Sequence, residues 1–433
     1  MEAGILGLFA FLILMALRMP IAYAMSLVGF IGFSYLVSPS AAFRVVAKDI
    51  YTTFSSYSLS VVPMFVLMGF FAFYSGIGSK IFSFAYKLIG HLNGGLAIAT
   101  QVTCALFGAV CGSNTATAAT IGAIALPEMK KYNYNISLST GSVAAGGALG
   151  ILIPPSVIFI VYGIATEQSI GKLFIAGILP GILLMFLYIA TIYILCRIKP
   201  ELGPAGPKFS WKERLNALKG GLFEVFLVFA LSIGGLFAGW YTPTEAGAVG
   251  AAGVLLITLL TGKLRWPGIK QALTDTTRTT AMIMLLVAGA IIFGHFIAVT
   301  QIPNVLASSV GNLDLPRHAI LGLIVLIYLV LGCFIDALAL ILLTIPIFYP
   351  VAVNTLQYDP VWFGVIIVLV VALGVITPPV GVNVYIIKGI AKDTPLEKIF
   401  AGIWPFVIAL VVCIAILMLF PQIITYLPNH LSF

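Results

Sequence analysis

The stretch Ala148-Leu149-Gly150-Ile151-Leu152-Ile153-Pro154-Pro155 returns as Ala372-Leu373-Gly374-Val375-Ile376-Thr377-Pro378-Pro379, the same apolar approach to a double proline displaced by 224 residues, 378 against 154. A double proline removes two backbone donors and blocks continuation of a helix. Two such breaks at matching places imply that the chain is two copies of one unit, each with a helix broken at the same point.

The correspondence extends outward from the prolines. Tyr134-Asn135 matches Tyr358-Asp359, and Gly163-Ile164-Ala165 matches Gly389-Ile390-Ala391. Lys172, Ala176-Gly177-Ile178 and Pro180 are answered by Lys398, Ala401-Gly402-Ile403 and Pro405. Upstream, Pro20 pairs with Pro243 and Gly108 with Gly332. This divides the chain into a first repeat over 1–196, a basic linker over 197–221 and a second repeat over 222–433.

The solvent follows from composition: 61% of the residues are hydrophobic and 8% charged, against about 25% charged in a soluble domain. Most of the chain therefore belongs in lipid. The N-terminus carries Glu2 and no basic stretch ahead of its apolar run, so the first segment is expected to be retained as a helix and not cleaved. The five cysteines sit in or at the ends of apolar segments without CxxC spacing, which indicates neither a disulfide frame nor a metal knuckle.

Each repeat shows the same series of apolar runs, judged against the ~20 residues that a span requires. In the first these are 4–17, 19–37, 57–76, a pair of short helices over 95–129, the broken helix over 137–166, and 172–196. In the second they are 222–239, 243–262, 277–299, a pair over 318–351, the broken helix over 361–390, and 397–420. The short pairs are joined at polar or glycine-rich residues, Gly112-Ser113-Asn114-Thr115 in one and Gly332 through Asp336 in the other. They read as re-entrant hairpins whose tips stop within the membrane and line a cavity.

A hairpin adds zero or two crossings, so it leaves parity unchanged, and each unit then crosses an odd number of times. An odd unit must be followed by its mirror image across the membrane. The expected fold is thus an all-α polytopic membrane protein, an inverted repeat of two five-span units, each with a re-entrant hairpin and a proline-broken helix. The basic linker, with Arg197, Lys199, Lys208, Lys212, Arg214 and Lys219, is assigned to the cytoplasm by the positive-inside rule. Counting outward puts both termini outside and brings Lys80, Lys87, Lys130, Lys131, Lys263, Arg265, Lys270, Lys388, Lys392 and Lys398 to the cytoplasmic side, with Arg44, Lys48 and Arg317 as exceptions. The net charge of +8 is accounted for by these loops, and no aromatic-interleaved basic patch suggests nucleic acid. Trp211, Trp240, Trp266 and Trp404 lie near segment ends, as interfacial anchors do.

Paired breaks in corresponding membrane helices mark the binding site of a secondary transporter. Tips and breaks meeting at the midplane would offer unpaired carbonyls, the polar side chains of Ser113, Asn114, Thr115, Ser156 and Thr377, and half-helix N-termini. Neutral oxygens suit a small hard cation such as Na⁺, and helix N-termini suit a carboxylate. An acid in an apolar helix context is costly enough to suggest function; Asp336, at the second tip, reads either as a helix cap or as an ion or proton site. Glu245 reads as a helix cap and His295 as a hydrogen-bonded packing residue. HExxH, Walker-type and GxSxG signatures are absent from the sequence, which argues against an enzyme and against a nucleotide engine.

The segments Gly112-Ser113-Asn114-Thr115-Ala116-Thr117-Ala118 with Leu126-Pro127, Gly150-Ile151-Leu152-Ile153-Pro154-Pro155-Ser156, Phe334-Ile335-Asp336-Ala337 and Gly374-Val375-Ile376-Thr377-Pro378-Pro379-Val380-Gly381-Val382-Asn383 together resemble the large membrane subunit of tripartite ATP-independent periplasmic (TRAP) transporters. The resemblance covers essentially the whole chain. It implies a bacterial inner-membrane transporter driven by a sodium gradient. Such a transporter imports organic acids, among them sialic acid and C4-dicarboxylates, by an elevator motion. It also implies two partners, a small four-helix membrane subunit and a periplasmic substrate-binding protein.

Carried onto this sequence, the resemblance implies one Na⁺ site from Ser113, Asn114, Gly150 and Ser156 and a second from Gly332, Gly374, Thr377 and Val380, with glycine and valine acting through their carbonyls. Thr115, Asp336 and Asn383 are the expected substrate-binding or coupling residues, Asn383 as a polar group facing the substrate. The alternatives are a carboxylate carrier of related fold, coupled to Na⁺ or H⁺, that needs no binding protein; a channel on the same scaffold; and a membrane enzyme.

Overall fold

Asn135 and Asp359, matched in the repeat, do the same local work. Asn135 Oδ1 accepts from the backbone N–H groups of Ser137 and Leu138 at 2.9 and 3.3 Å, and Asp359 Oδ1 accepts from Trp362 N–H at 2.7 Å. Each satisfies donors that a helix start leaves unpaired, and so starts the broken helix of its half. The computed structural model describes residues 1–219, 222–311 and 315–431, and every regular element among them is helical.

The first broken helix runs over Ile136–Leu152 and Val157–Ala165 with a bend of 42°, and the second over Pro360–Gly374 and Val382–Ile390. Both double prolines lie in the breaks. The first helical pair is Gly95–Cys111 with Asn114–Lys131. The second is Arg317–Gly332 with Ala337–Tyr349, the latter continued by a π-helical turn at Pro350–Thr355. The closing helices Ile170–Ile198 and Leu396–Leu419 each carry the repeat-matched proline, Pro180 or Pro405.

The two halves also share a packing device. A methyl on Gly108 would lie 2.7 Å from Gly150 Cα, and one on Gly374 would lie 2.6 Å from the Gly332 carbonyl carbon. Gly108 and Gly150 correspond to Gly332 and Gly374 at the repeat distance. In each half, therefore, the helix leading to the tip meets the broken helix backbone to backbone, the close approach that small residues permit in membrane bundles.

A second group of helices stands beside these. Ile21–Leu36 packs along Trp266–Val299, and Val61–Tyr74 along Pro243–Leu260. Pro243–Leu260 begins with a full capping box between Thr242 and Glu245, the role expected of Glu245. His295 Nε2 lies 3.1 Å from the buried Asp49 Oδ2, so it faces a carboxylate as well as packing. All five cysteines are buried and unpaired.

Several elements differ from expectation. Among the described residues five helices are individually long and apolar enough to cross a membrane, or up to seven when two bent pairs are counted as spans, against the ten expected. The shortfall arises where helices are cut short: Ile21–Leu36 has 16 residues, about 24 Å at 1.5 Å per residue, less than the ~30 Å hydrocarbon layer. Helices at Pro39–Ser55, Ile77–Ile89, Ile302–Gly311 and Gln422–His430 were not anticipated. The linker is also partly structured. It carries a helix at Trp211–Lys219, and it is pinned to earlier parts of the chain by Gly94 N–H to Gly203 O at 2.7 Å, Gly206 N–H to Gly90 O at 2.8 Å and Asn135 N–H to Leu202 O at 3.0 Å.

Candidate functional site

At the first tip the helix Gly95–Cys111 ends on Gly112, whose φ of +65° is left-handed, a conformation natural to glycine. The chain then turns into an extended Ser113, whose Oγ accepts from Ala116 N–H at 3.4 Å and lies 3.1 Å from Thr115 Oγ1. The first break approaches this turn. Val157 N–H points to Gly112 O at 3.5 Å, and the fully buried Ser156 caps the following helix by accepting from Phe159 N–H at 3.4 Å. A methyl on Gly150 would stand 2.8 Å from Ser113 O and 2.5 Å from Thr117 Oγ1.

Ser113, Asn114, Gly150 and Ser156, the expected first ion set, are thus drawn around the same tip and break. Thr117 joins them, and the sequence reading had given it no role. It is fully buried and its hydroxyl has no hydrogen-bond partner in the protein. Such an orphan costs about 1–3 kcal/mol unless something occupies the space beside it.

At the second tip Gly332 touches Gly374. Thr377 is half-buried and its hydroxyl donates back to Leu373 O at 2.6 Å, so what it retains for a ligand is acceptor capacity. Asp336 caps Ala337–Tyr349, its Oδ1 accepting from Leu338 N–H at 3.0 Å. Its side chain is nevertheless exposed toward a cavity.

That cavity, of about 540 Å³, joins the two tips. Ser113, Asn114, Thr115 and Asp336 contribute polar groups from the tips, while Phe70, Phe73, Tyr74, Thr279 and Met282 face them from Val61–Tyr74 and Trp266–Val299. No arginine, lysine or histidine is among the lining residues. An anion here would meet hydroxyls, an amide, helix N-termini and any bound cation. Thr377 and Val380 do not line the cavity.

Asn383 departs from its expected place facing the substrate. It is fully buried, its Nδ2 donates to Ala144 O at 3.1 Å, and its Oδ1 accepts from Asn114 Nδ2 at 3.2 Å. With both amide atoms engaged, it acts as a strut tying the second break to the first tip and the first broken helix. Tyr74 and Thr279 were also missed. They lie in or beside apolar runs, and only the fold brings them opposite the tips.

Comparison with known proteins adds a second line of observation. The model of a family described as "Tripartite ATP-independent periplasmic transporter, DctM component" matches residues 8–423. The chain belongs to this family. Relatives of this TRAP large permease include the C4-dicarboxylate TRAP transporter large permease protein DctM of Pseudomonas aeruginosa, 37% identical over 92% of both chains. The sialic acid TRAP transporter large permease protein SiaM of Vibrio cholerae is 33% identical over 98% of both. The ectoine TRAP transporter large permease protein TeaC of Halomonas elongata is 34% identical over 96% of both.

The fold of the permease is also that of the YdaH transporter of Alcanivorax borkumensis, whose crystal structure aligns with a TM-score of 0.60 at 14% identity, covering 89% of this chain and 90% of that one. These relatives are named as transporter permeases.

Proposed function

We propose that this TRAP permease imports an organic acid together with Na⁺, binding both where the two hairpin tips meet. The observation that carries the reading is the convergence of both tips on one cavity, with the orphaned Thr117 hydroxyl beside Gly150 and the Ser113 carbonyl at the first tip. Neutral oxygens brought together in this way suit Na⁺. The helix starts at Asn114 and Ala337 suit the carboxylate. Relatives named for C4-dicarboxylates, sialic acid and ectoine support an organic acid or zwitterion as the cargo.

In this reading the two units are inverted repeats, and the short helical pairs re-enter the membrane. The tips and broken helices move as one body against Val61–Tyr74 and Trp266–Val299, an elevator in which the cavity travels with the tips. Asn383 suits such a body because it joins elements of both halves inside the moving part. A small membrane subunit and a periplasmic binding protein complete the transporter in the bacterial inner membrane. Each charge moved gains about 2.3 kcal/mol per 100 mV, so two Na⁺ with a dianion cross without sensing voltage, whereas a third Na⁺ or a monoanion makes the cycle voltage-driven.

The test is thermal unfolding of the purified permease, with the small subunit where needed, in Na⁺ against matched K⁺ or choline. A ligand at 100 times its dissociation constant adds about 2.7 kcal/mol of stability. A Na⁺-specific rise that Ser113→Ala diminishes supports the site. Equal stability in saturating Na⁺ and K⁺ contradicts the assignment and turns attention to proton coupling at Asp336.

A further inference from the structure

The wall of the cavity opposite the tips holds one pinned polar group. Tyr74 lines the cavity, and its hydroxyl donates to Asp275 Oδ2 at 2.5 Å. Asp275 is fixed in turn by Gln271, whose Nε2 donates to both carboxylate oxygens at 3.2 and 3.3 Å across one helical turn. Thr279, one turn beyond Asp275, lines the cavity as well. A phenol has a single proton, and Asp275 holds it, so the Tyr74 oxygen can only accept. On the tip side Asp336 presents a carboxylate, which is also an acceptor when ionised, and no cationic side chain lines the space.

We propose that Tyr74, its proton committed to Asp275, is a specificity-determining residue that reads hydroxyl or N–H donors on the substrate, so that the permease favours hydroxylated or nitrogen-bearing organic acids over acids with carboxylates alone. The inference rests on the transport reading above. The carboxylate end turns to the helix starts and bound Na⁺, and the donor-bearing end turns to Tyr74. A substrate without donors gains no hydrogen bond from the Tyr74 oxygen and brings only negative charge to a cavity whose side chains already include an acid.

The experiment measures thermal stabilisation of the purified permease in saturating Na⁺, without binding protein, titrating succinate, malate and sialic acid. Malate or sialic acid is expected to act at concentrations about tenfold below succinate, the factor expected for one hydrogen bond. Tyr74→Phe should weaken the donor-bearing acid about tenfold and leave succinate and the Na⁺ shift unchanged. Asp275→Ala, by freeing the phenol proton to donate to a carboxylate, should strengthen succinate and narrow the preference, a change of sign that loss of packing would not produce. Succinate binding as tightly as the donor-bearing acids, or a preference that survives Tyr74→Phe, overturns the proposal. If no acid shifts a permease that Na⁺ does stabilise, it is the underlying reading of the cargo that fails.

Discussion

Replacing Thr117 by valine separates an ion ligand from a structural hydroxyl by the sign of its effect. The two side chains are similar in size, and the Thr117 oxygen is fully buried without a partner in the protein. Removing an unsatisfied buried hydroxyl relieves a desolvation cost of about 1–3 kcal/mol, so in K⁺ or choline the variant is expected to be as stable as the parent or more so. In Na⁺ the order reverses. If the hydroxyl is a ligand, the variant loses much of the stabilisation that saturating Na⁺ confers, about 2.7 kcal/mol at 100 times the dissociation constant. The assay is thermal unfolding of parent and variant across a Na⁺ titration at constant ionic strength. A Thr117→Val protein that is less stable without Na⁺ and responds to Na⁺ like the parent would refute the reasoning.

Asn383→Ala removes both amide bonds and strands the buried Asn114 amide; it should lower stability by about 2–4 kcal/mol, measured as a drop in unfolding temperature without a change of ion specificity. Gly374→Ala forces a methyl to within 2.6 Å of Gly332 backbone, whereas Gly332→Ala meets nothing closer than 3.3 Å. The first should therefore cost about 1–3 kcal/mol and the second distinctly less, a ranking that expression and melting of the two variants will check. His295→Leu leaves the buried Asp49 without its partner. Because the imidazole is half exposed, the loss should be on the order of 1 kcal/mol, below that of a fully buried pair, and Asp49→Asn in the same chain should recover part of it.

The double prolines disclosed the breaks because proline acts through its own backbone, and the capped starts at Asn135 and Asp359 followed from local chemistry in the same way. The tips were legible because Gly112-Ser113-Asn114 interrupts an apolar run. Pro39–Ser55 is not legible as an apolar run because Arg44, Lys48 and Asp49 interrupt its apolar residues. Asn383 showed that a polar residue near a break can face inward: spacing reveals that it is polar but not which neighbours take up its amide. Tyr74 and Asp275 are 201 residues apart in sequence and have no repeat-matched counterpart, so nothing local joins them. Thr117 belonged to a motif already noticed, yet the absence of a partner for its hydroxyl is a property of the packed structure.

Uptake into proteoliposomes tests the central claim most directly. The permease, with its small membrane subunit, is supplied with acid-loaded binding protein on the outside and an ion gradient across the bilayer. The account predicts accumulation of the acid under an inward Na⁺ gradient, none under an equal K⁺ gradient, and collapse when the Na⁺ gradient is dissipated. Accumulation that continues without Na⁺ would contradict it.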